Sequence, residues 1–270
     1  NSIFGARTNR NAGGVDILMN LLGKTPVFGL LTDEGRKAKW KIELKCDNKP
    51  NAQILGSAIG MKVMEDVPYI VRLEKHIGTE LNKESKAFLK DMGAAAASNG
   101  AVGLYHIENL TPEALENGEK LLSENYKTYT IDDKELQRVY KSYPNIWKKP
   151  QAKPKKCFIG CPHLTLHQMK EWTEKIQSAL AGEEVELETV LLAAPDVVEK
   201  FKEDKATYES LLSTGAKISS ICPLMFMSNP LWKNKPIVTN SNKLRTYTSC
   251  RFFDDNDILK IIKTGSVEGI

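Results

Sequence analysis

The chain lacks any apolar stretch approaching the roughly 20 residues that cross a bilayer. Its longest runs, such as Val190–Ala194 and Ile221–Met227, are far shorter, so no membrane partner is expected. The opening NSIFGARTNR has no apolar core of a secretory leader. It also has no initiator Met, which leads us to expect a fragment or a processed product. No CxxC pair is present and the five cysteines are scattered, so neither a zinc finger nor a disulfide framework is indicated. Free or metal-bound thiols in the cytoplasm are the expectation. Phosphate loops of the GxGxxG and GxxxxGK[ST] kinds and the GxSxG elbow are missing, which weakens nucleotide-dependent and serine-hydrolase readings. Arginine is scarce: 38 basic residues include only seven Arg. Bidentate phosphate and base recognition leans on Arg. The net charge of +4 therefore reads as solvated lysine, and no nucleic-acid partner is expected.

What remains is an ordinary globular composition, with 41% apolar and 27% charged residues over 270 positions. Lys141–Lys156, KSYPNIWKKPQAKPKK, holds six Lys and three Pro without an acid. It reads as a linker between an N-terminal lobe, residues 1–140, and a C-terminal lobe, residues 157–270. In the first lobe the patterns predict a helix over Gly14–Leu22 and strands over Val27–Leu31, Trp40–Cys46, Tyr69–Leu73 and Ala101–Ile107. Helices are predicted over Ala52–Met64 and Lys83–Ser98, and Thr111-Pro112 opens another with Thr111 as its N-cap. In the second lobe strands are predicted at Cys157–Gly160, Leu187–Ala193, Lys217–Cys222 and Pro236–Thr239. Between and after them come a helix opened by a Thr165/Gln168 capping box, one from Pro195 to Gly215, and a last one at Asn256–Lys263. Alternating βαβ units imply parallel sheets flanked by helices, with ligands at the carboxyl ends of strands.

Three loops qualify as chemical sites on that criterion. Gly160-Cys161-Pro162-His163 places a thiol between a strand and a capped helix start. Cys222-Pro223 repeats the arrangement after another strand. Two cysteines at corresponding places on neighbouring strands point to a shared metal or cluster; Cys161, His163 and His167 are a weaker zinc alternative. Thr239-Asn240-Ser241-Asn242-Lys243 offers a hydroxyl, amides and an ammonium to an anionic small molecule. Gly5–Arg10 concentrates two of the seven arginines, Arg7 and Arg10, which suits either anion contact or a charged surface turn.

Taken in order, NSIFGARTNR, GLLTDEGRKA at Gly29–Ala38, AAAASNGAVGLYHIENLTPEA at Ala94–Ala114, GCPHLTLHQM at Gly160–Met169 and VTNSNK at Val238–Lys243 resemble the aconitase X family over essentially the whole chain. The resemblance implies an aconitase-like α/β fold of two lobes. It also implies the large subunit or catalytic region of a dehydratase (a hydro-lyase) acting on a small hydroxy acid such as cis-3-hydroxy-L-proline or mevalonate 5-phosphate. A non-catalytic binding or scaffold protein on the same fold is the alternative.

The family's iron–sulfur cluster is held by three cysteines. Cys161 and Cys222 match two of them; the third lies upstream of anything in this chain. Asn1 and Ser2 match substrate-binding positions, and Arg7 and Arg10 are expected to bind the substrate beside them. Lys243 matches a substrate-contacting lysine, with Ser241 in the same loop, and one of the two is expected to take the substrate proton. A small swivelling subunit or domain is the implied partner. The sequence departs from the family after Lys243, where LRTYTSC replaces the usual His-Tyr stretch, and at Asn242, where the family has Gly.

Overall fold

A computed structural model describes residues 1–270. The chain forms two compact units, Asn1–Val139 and Tyr140–Ile270. Each is a parallel sheet with helices packed against it.

The first unit runs α1 (Gly13–Leu22), β1 (Ala38–Leu44), α2 (Ala52–Val63), β2 (Pro68–Val71), α3 (Glu74–Ile77), α4 (Lys83–Asn99), β3 (His106–Ile107), α5 (Pro112–Asn117), β4 (Leu122–Ile131) and α6 (Asp133–Lys141), the last crossing into the second unit. Its sheet has the order β3-β2-β1-β4 with every pair parallel. The period-two face seen in the sequence is real: Ile42 and Leu44 are buried while Lys39 is exposed. Asn51 caps α2 by accepting from the amides of Gln53 and Ile54.

Three expectations in this unit fail wholly or in part, and two elements carried no expectation, each for an identifiable reason. Val27–Leu31 is not a strand but ends in a 3₁₀ turn, Gly29–Leu31. Gly29 sits at φ +54°, and the Asn9 side chain takes the place of a neighbouring strand, accepting from Leu30 N–H at 2.8 Å and donating to Phe28 O at 3.1 Å. The strand expected from Ala101 shrinks to His106–Ile107, because the backbone before it bonds to side chains and to Met64 O instead. Thr111 stands at the N-cap of α5 with Pro112 following, but its hydroxyl makes no cap bond and accepts instead from Ile107 N–H at 2.9 Å. β4, with a mostly exposed edge pattern, and the amphipathic α6 gave no apolar alternation strong enough to read.

The second unit runs β5 (Lys156–Leu164), α7 (Leu166–Leu180), β6 (Thr189–Ala193), α8 (Pro195–Glu203), α9 (Lys205–Ser213), β7 (Lys217–Ser219), α10 (Pro223–Ser228), β8 (Ile237–Thr239), α11 (Asn242–Tyr247), β9 (Arg251–Phe252) and α12 (Asp255–Thr264). The sheet order is β7-β6-β5-β8-β9, again all parallel. The Thr165/Gln168 capping box is present. One face of the sheet packs Cys157, Ile159, Leu191 and Val238 against Trp172, Ile176, Phe201 and Ile261. The other packs Phe158, Val190, Leu192 and Ile237 with Cys161, Leu244 and Cys250. The single helix expected between Pro195 and Gly215 is two, divided at Asp204, whose carboxylate caps α9 at Thr207 N–H. The strand expected over Lys217–Cys222 stops at Ser219, whose hydroxyl accepts from Ile221 N–H at 3.1 Å. Within the Lys/Pro-rich stretch, Trp147 is buried and its indole N–H donates to Ser249 O at 2.9 Å.

No helix is long and apolar enough to cross a membrane.

Candidate functional site

In the second unit the site residues gather at the carboxyl ends of parallel strands. Cys161 lies near the end of β5, inside the strand rather than in a loop after it. Strict alternation would put residue 161 on the face of Cys157 and Ile159. Instead Cys161 shares the face of Phe158. The reason is a bulge: pairing with β6 shifts between Ile159 and Leu164, and Gly160 sits at φ +104°. A Cβ on Gly160 would lie 2.6 Å from Leu192 O, so only glycine serves there.

Cys222 leaves the β7 end and starts α10 ahead of Pro223, half-buried. The two cysteines are not on neighbouring strands, since β6 lies between β5 and β7. At about 4.8 Å per strand their strands are roughly 10 Å apart.

The loop after β8 is tied to β5. Ser241 is fully buried, donates its hydroxyl to Cys161 O and accepts from Leu244 N–H at 3.0 Å, capping α11. Asn242, also fully buried, donates to the Tyr143 hydroxyl at 2.9 Å and accepts from Arg245 Nε at 2.8 Å. The Arg245 guanidinium lies 4.1 Å from the Tyr143 ring centre. Burial lowers the Arg245 pKa from its ordinary value, and the Tyr143 hydroxyl opposes that. Lys243, beside this buried network, is half-buried and makes no ion pair.

An iron–sulfur cluster held by protein thiolates needs a full set of donors. Cys161 and Cys222 are the two candidates, and nowhere do three of His, Cys, Asp and Glu gather as they would around a metal. The zinc alternative at Cys161, His163 and His167 fails the same test. Cys157 and Cys250 are buried thiols: burial pushes Cys250 up to about 12 and raises Cys157 strongly. The side chains grouped within residues 1–270 fall short of the three thiolates that the resemblance implies.

The first unit holds Asn1, Ser2, Arg7 and Arg10. Asn1 donates to Thr8 O at 2.8 Å and Gly103 O at 2.9 Å, and accepts from Thr8 N–H at 3.0 Å. Ser2 Oγ accepts from Tyr105 N–H at 2.9 Å. Gly103 and Tyr105 precede β3, so this segment docks at the amino end of the strand rather than the carboxyl end the fold class suggests. Arg10 is exposed and joins Asn1, Ser2, Gly93, Gly103 and Tyr105 around a concavity of about 350 Å³. Arg7 is engaged with Asp33 at 2.5 Å and with Leu31 O at 3.2 Å.

Sequence reasoning missed what lies beneath. Arg36, 1% exposed, makes a bidentate pair with Glu113 at 2.6 and 2.7 Å. His106, equally buried, donates from Nε2 to Arg36 O at 2.9 Å, with Nδ1 3.7 Å from Glu113. Burial would raise the Glu113 pKa, but the hydrogen bonds and charge of Arg36, with His106 and Arg7, hold it below the usual carboxylate value. Burial lowers that of His106. The signal was present as an arginine in an otherwise Arg-poor chain, yet nothing local marked it as buried.

Family models for the aconitase X second domain and third domain match residues 38–141 and 155–257. The chain belongs to the aconitase X family. It is similar to the aconitase X crystal structure from Thermococcus kodakaraensis (holo-form), with 30% identity and a TM-score of 0.77 over 98% of this chain and 64% of that one. It is 32% identical to the phosphomevalonate dehydratase large subunit of Thermococcus kodakarensis, over 92% of this chain and 59% of that protein. The fungal cis-3-hydroxy-L-proline dehydratase of Hypocrea jecorina is 23% identical over 94% of this chain and 43% of its own length. The chain thus spans under two thirds of these relatives.

Proposed function

We propose that this aconitase X chain is the two-domain part of a dehydratase large subunit that removes water from a small anionic hydroxy acid, with mevalonate 5-phosphate favoured over cis-3-hydroxy-L-proline. The observation that carries the choice is the comparison over nearly the whole chain: 32% identity to a phosphomevalonate dehydratase large subunit against 23% to the fungal hydroxyproline enzyme.

Dehydration needs a proton taken from the carbon beside a carboxylate and help for the departing hydroxyl. Lys243, half-buried and without an ion pair, suits a phosphate or carboxylate as an ammonium, or takes the substrate proton as a neutral amine, the two roles excluding one another in a single step. Ser241 moves a proton only if its bond to the Cys161 carbonyl opens. Asn1 and Ser2 orient the substrate, with Arg10 and Arg7 as cationic neighbours. Cys161 and Cys222 give two thiolates to an iron–sulfur cluster, and the third comes from outside residues 1–270. A small subunit completes the enzyme, in keeping with the "large subunit" in its relatives' names.

The test joins the chain to the N-terminal segment of a relative's large subunit that supplies the third cysteine, reconstitutes it anaerobically with iron and sulfide, mixes it with a family small subunit, and incubates it with each candidate substrate. Loss of one water from mevalonate 5-phosphate, abolished by Lys243→Met, is the expected result. Iron and sulfide below stoichiometry in the isolated chain are expected too. No water loss from either compound, together with an unaltered Lys243→Met variant, would favour the non-catalytic scaffold reading.

A further inference from the structure

We propose that Arg36 is a positioning residue, locked by Glu113, that sets the Asn1–Ser2 pair in place. The consequence for substrate binding rests on the assignment of Asn1 and Ser2 above; the positioning itself does not.

A guanidinium has five N–H donors in a fixed planar fork. Arg36 uses all five. Two go to the Glu113 carboxylate, at 2.6 and 2.7 Å. Of the other three, one goes to the loop before β1, Leu30 O at 2.9 Å, and two go to the N-terminal segment, Ala6 O at 3.4 Å and Asn1 Oδ1 at 3.5 Å. The Arg36 backbone is fixed as well, since its carbonyl accepts from His106 Nε2 on β3. One buried side chain therefore binds α5, the loop before β1 and the segment that carries Asn1.

The arrangement has a direction. Glu113 orients the guanidinium, and the guanidinium meets the Asn1 side-chain oxygen. With Oδ1 held by Arg36 and Thr8 N–H, the Asn1 amide nitrogen turns to Gly103 O, two residues before the Tyr105 amide that holds Ser2. Lysine cannot substitute, having three donors around a point charge rather than a five-donor fork. Gly35 keeps the turn tight: a Cβ there would lie 2.0 Å from Gly29 O.

Two backbone amides report on the pair directly, Thr8 N–H through Asn1 Oδ1 and Tyr105 N–H through Ser2 Oγ. Hydrogen exchange is measured by NMR on the full 270-residue chain, on Arg36→Lys and on Glu113→Gln, the latter keeping the shape of the carboxylate. Acceleration at Thr8 and Tyr105 at least tenfold greater than any at Ile42 and Ile70 in β1 and β2 is the expected result. Unchanged exchange at both reporters would overturn the proposal. So would equal acceleration throughout the first unit, which marks Arg36 as a general stabiliser only.

Titration with mevalonate 5-phosphate, following the Asn1 side-chain amide and the Ser2 amide, then separates the two readings. Shifts in the unaltered chain that weaken in Arg36→Lys support both. Absence of shifts in the unaltered chain, with the reporters still loosened in the variants, removes the substrate assignment and leaves the positioning standing.

Discussion

The two units share a parallel architecture yet fix their polar residues by opposite means. In the first, a buried ion pair, Arg36–Glu113, reaches outward and pins a segment whose own residues are largely exposed. In the second, the residues themselves are buried, and neutral hydrogen bonds tie Ser241 to β5 and Asn242 to the Tyr143 hydroxyl. The first device concentrates its energy in one charge pair and is costly to break at one end. The second spreads it over backbone geometry, a cap and close packing, so its weak point is steric.

The comparison can be broken most severely at Gly160. Gly160→Ala combines a left-handed φ with a Cβ 2.6 Å from Leu192 O, and should destabilise the second unit by about 4 kcal/mol. Urea denaturation followed by Trp172 and Trp232 fluorescence would show it; a midpoint within error of the parent would show that the bulge does not depend on glycine. Arg36→Met leaves Glu113 without its partner and should cost about 3 kcal/mol, confined to signals from the first unit such as Trp40. A loss under about 1 kcal/mol would mean the pair contributes little there. Ser241→Ala removes both the α11 cap and the donor to Cys161 O, and is expected to cost about 1–2 kcal/mol. It should also speed reaction of the Cys161 thiol with a disulfide reagent.

A pH-dependent difference sharpens the contrast further. The folded pKa of His106 lies below the ordinary 6.5, so the unfolded chain binds the proton more readily. Its contribution is present above about pH 6.5 and is lost as pH falls through the lower folded value. Glu113, also depressed, adds a second loss as pH falls below the ordinary 4.5. Urea midpoints of the first unit at pH 7.5 and 5.5 should therefore differ more in the parent than in His106→Gln; equal differences would exclude His106 as the cause. The smallest effect is expected at Lys243→Met, within about 0.5 kcal/mol of parent stability, because Lys243 makes no ion pair to lose. A large destabilisation there would mark it as structural rather than available to a ligand.

The loops of the second unit were legible because glycine, proline and cap residues punctuate strands of buried apolar residues, as at GCPHLTLHQ. The first unit was less so. Val27–Leu31 has the composition of a strand, but Asn9 supplies its hydrogen bonds from far along the chain, and no local pattern records that. Polar edge strands such as β4 lack the one-sided burial that makes a period visible.

Local sequence determined the βαβ alternation, the Thr165 cap, the glycine stops and the family strings, since each depends on the torsions and hydrophobicity of residues within one or two turns. Tertiary structure alone decided that Cys161 faces Phe158 rather than Cys157, and that β6 separates the strands bearing Cys161 and Cys222. It also decided that Arg36 is buried and spends all five donors. Those outcomes turn on strand order, on one bulge, and on a carboxylate 77 positions away that neutralises a guanidinium no short window of sequence would bury.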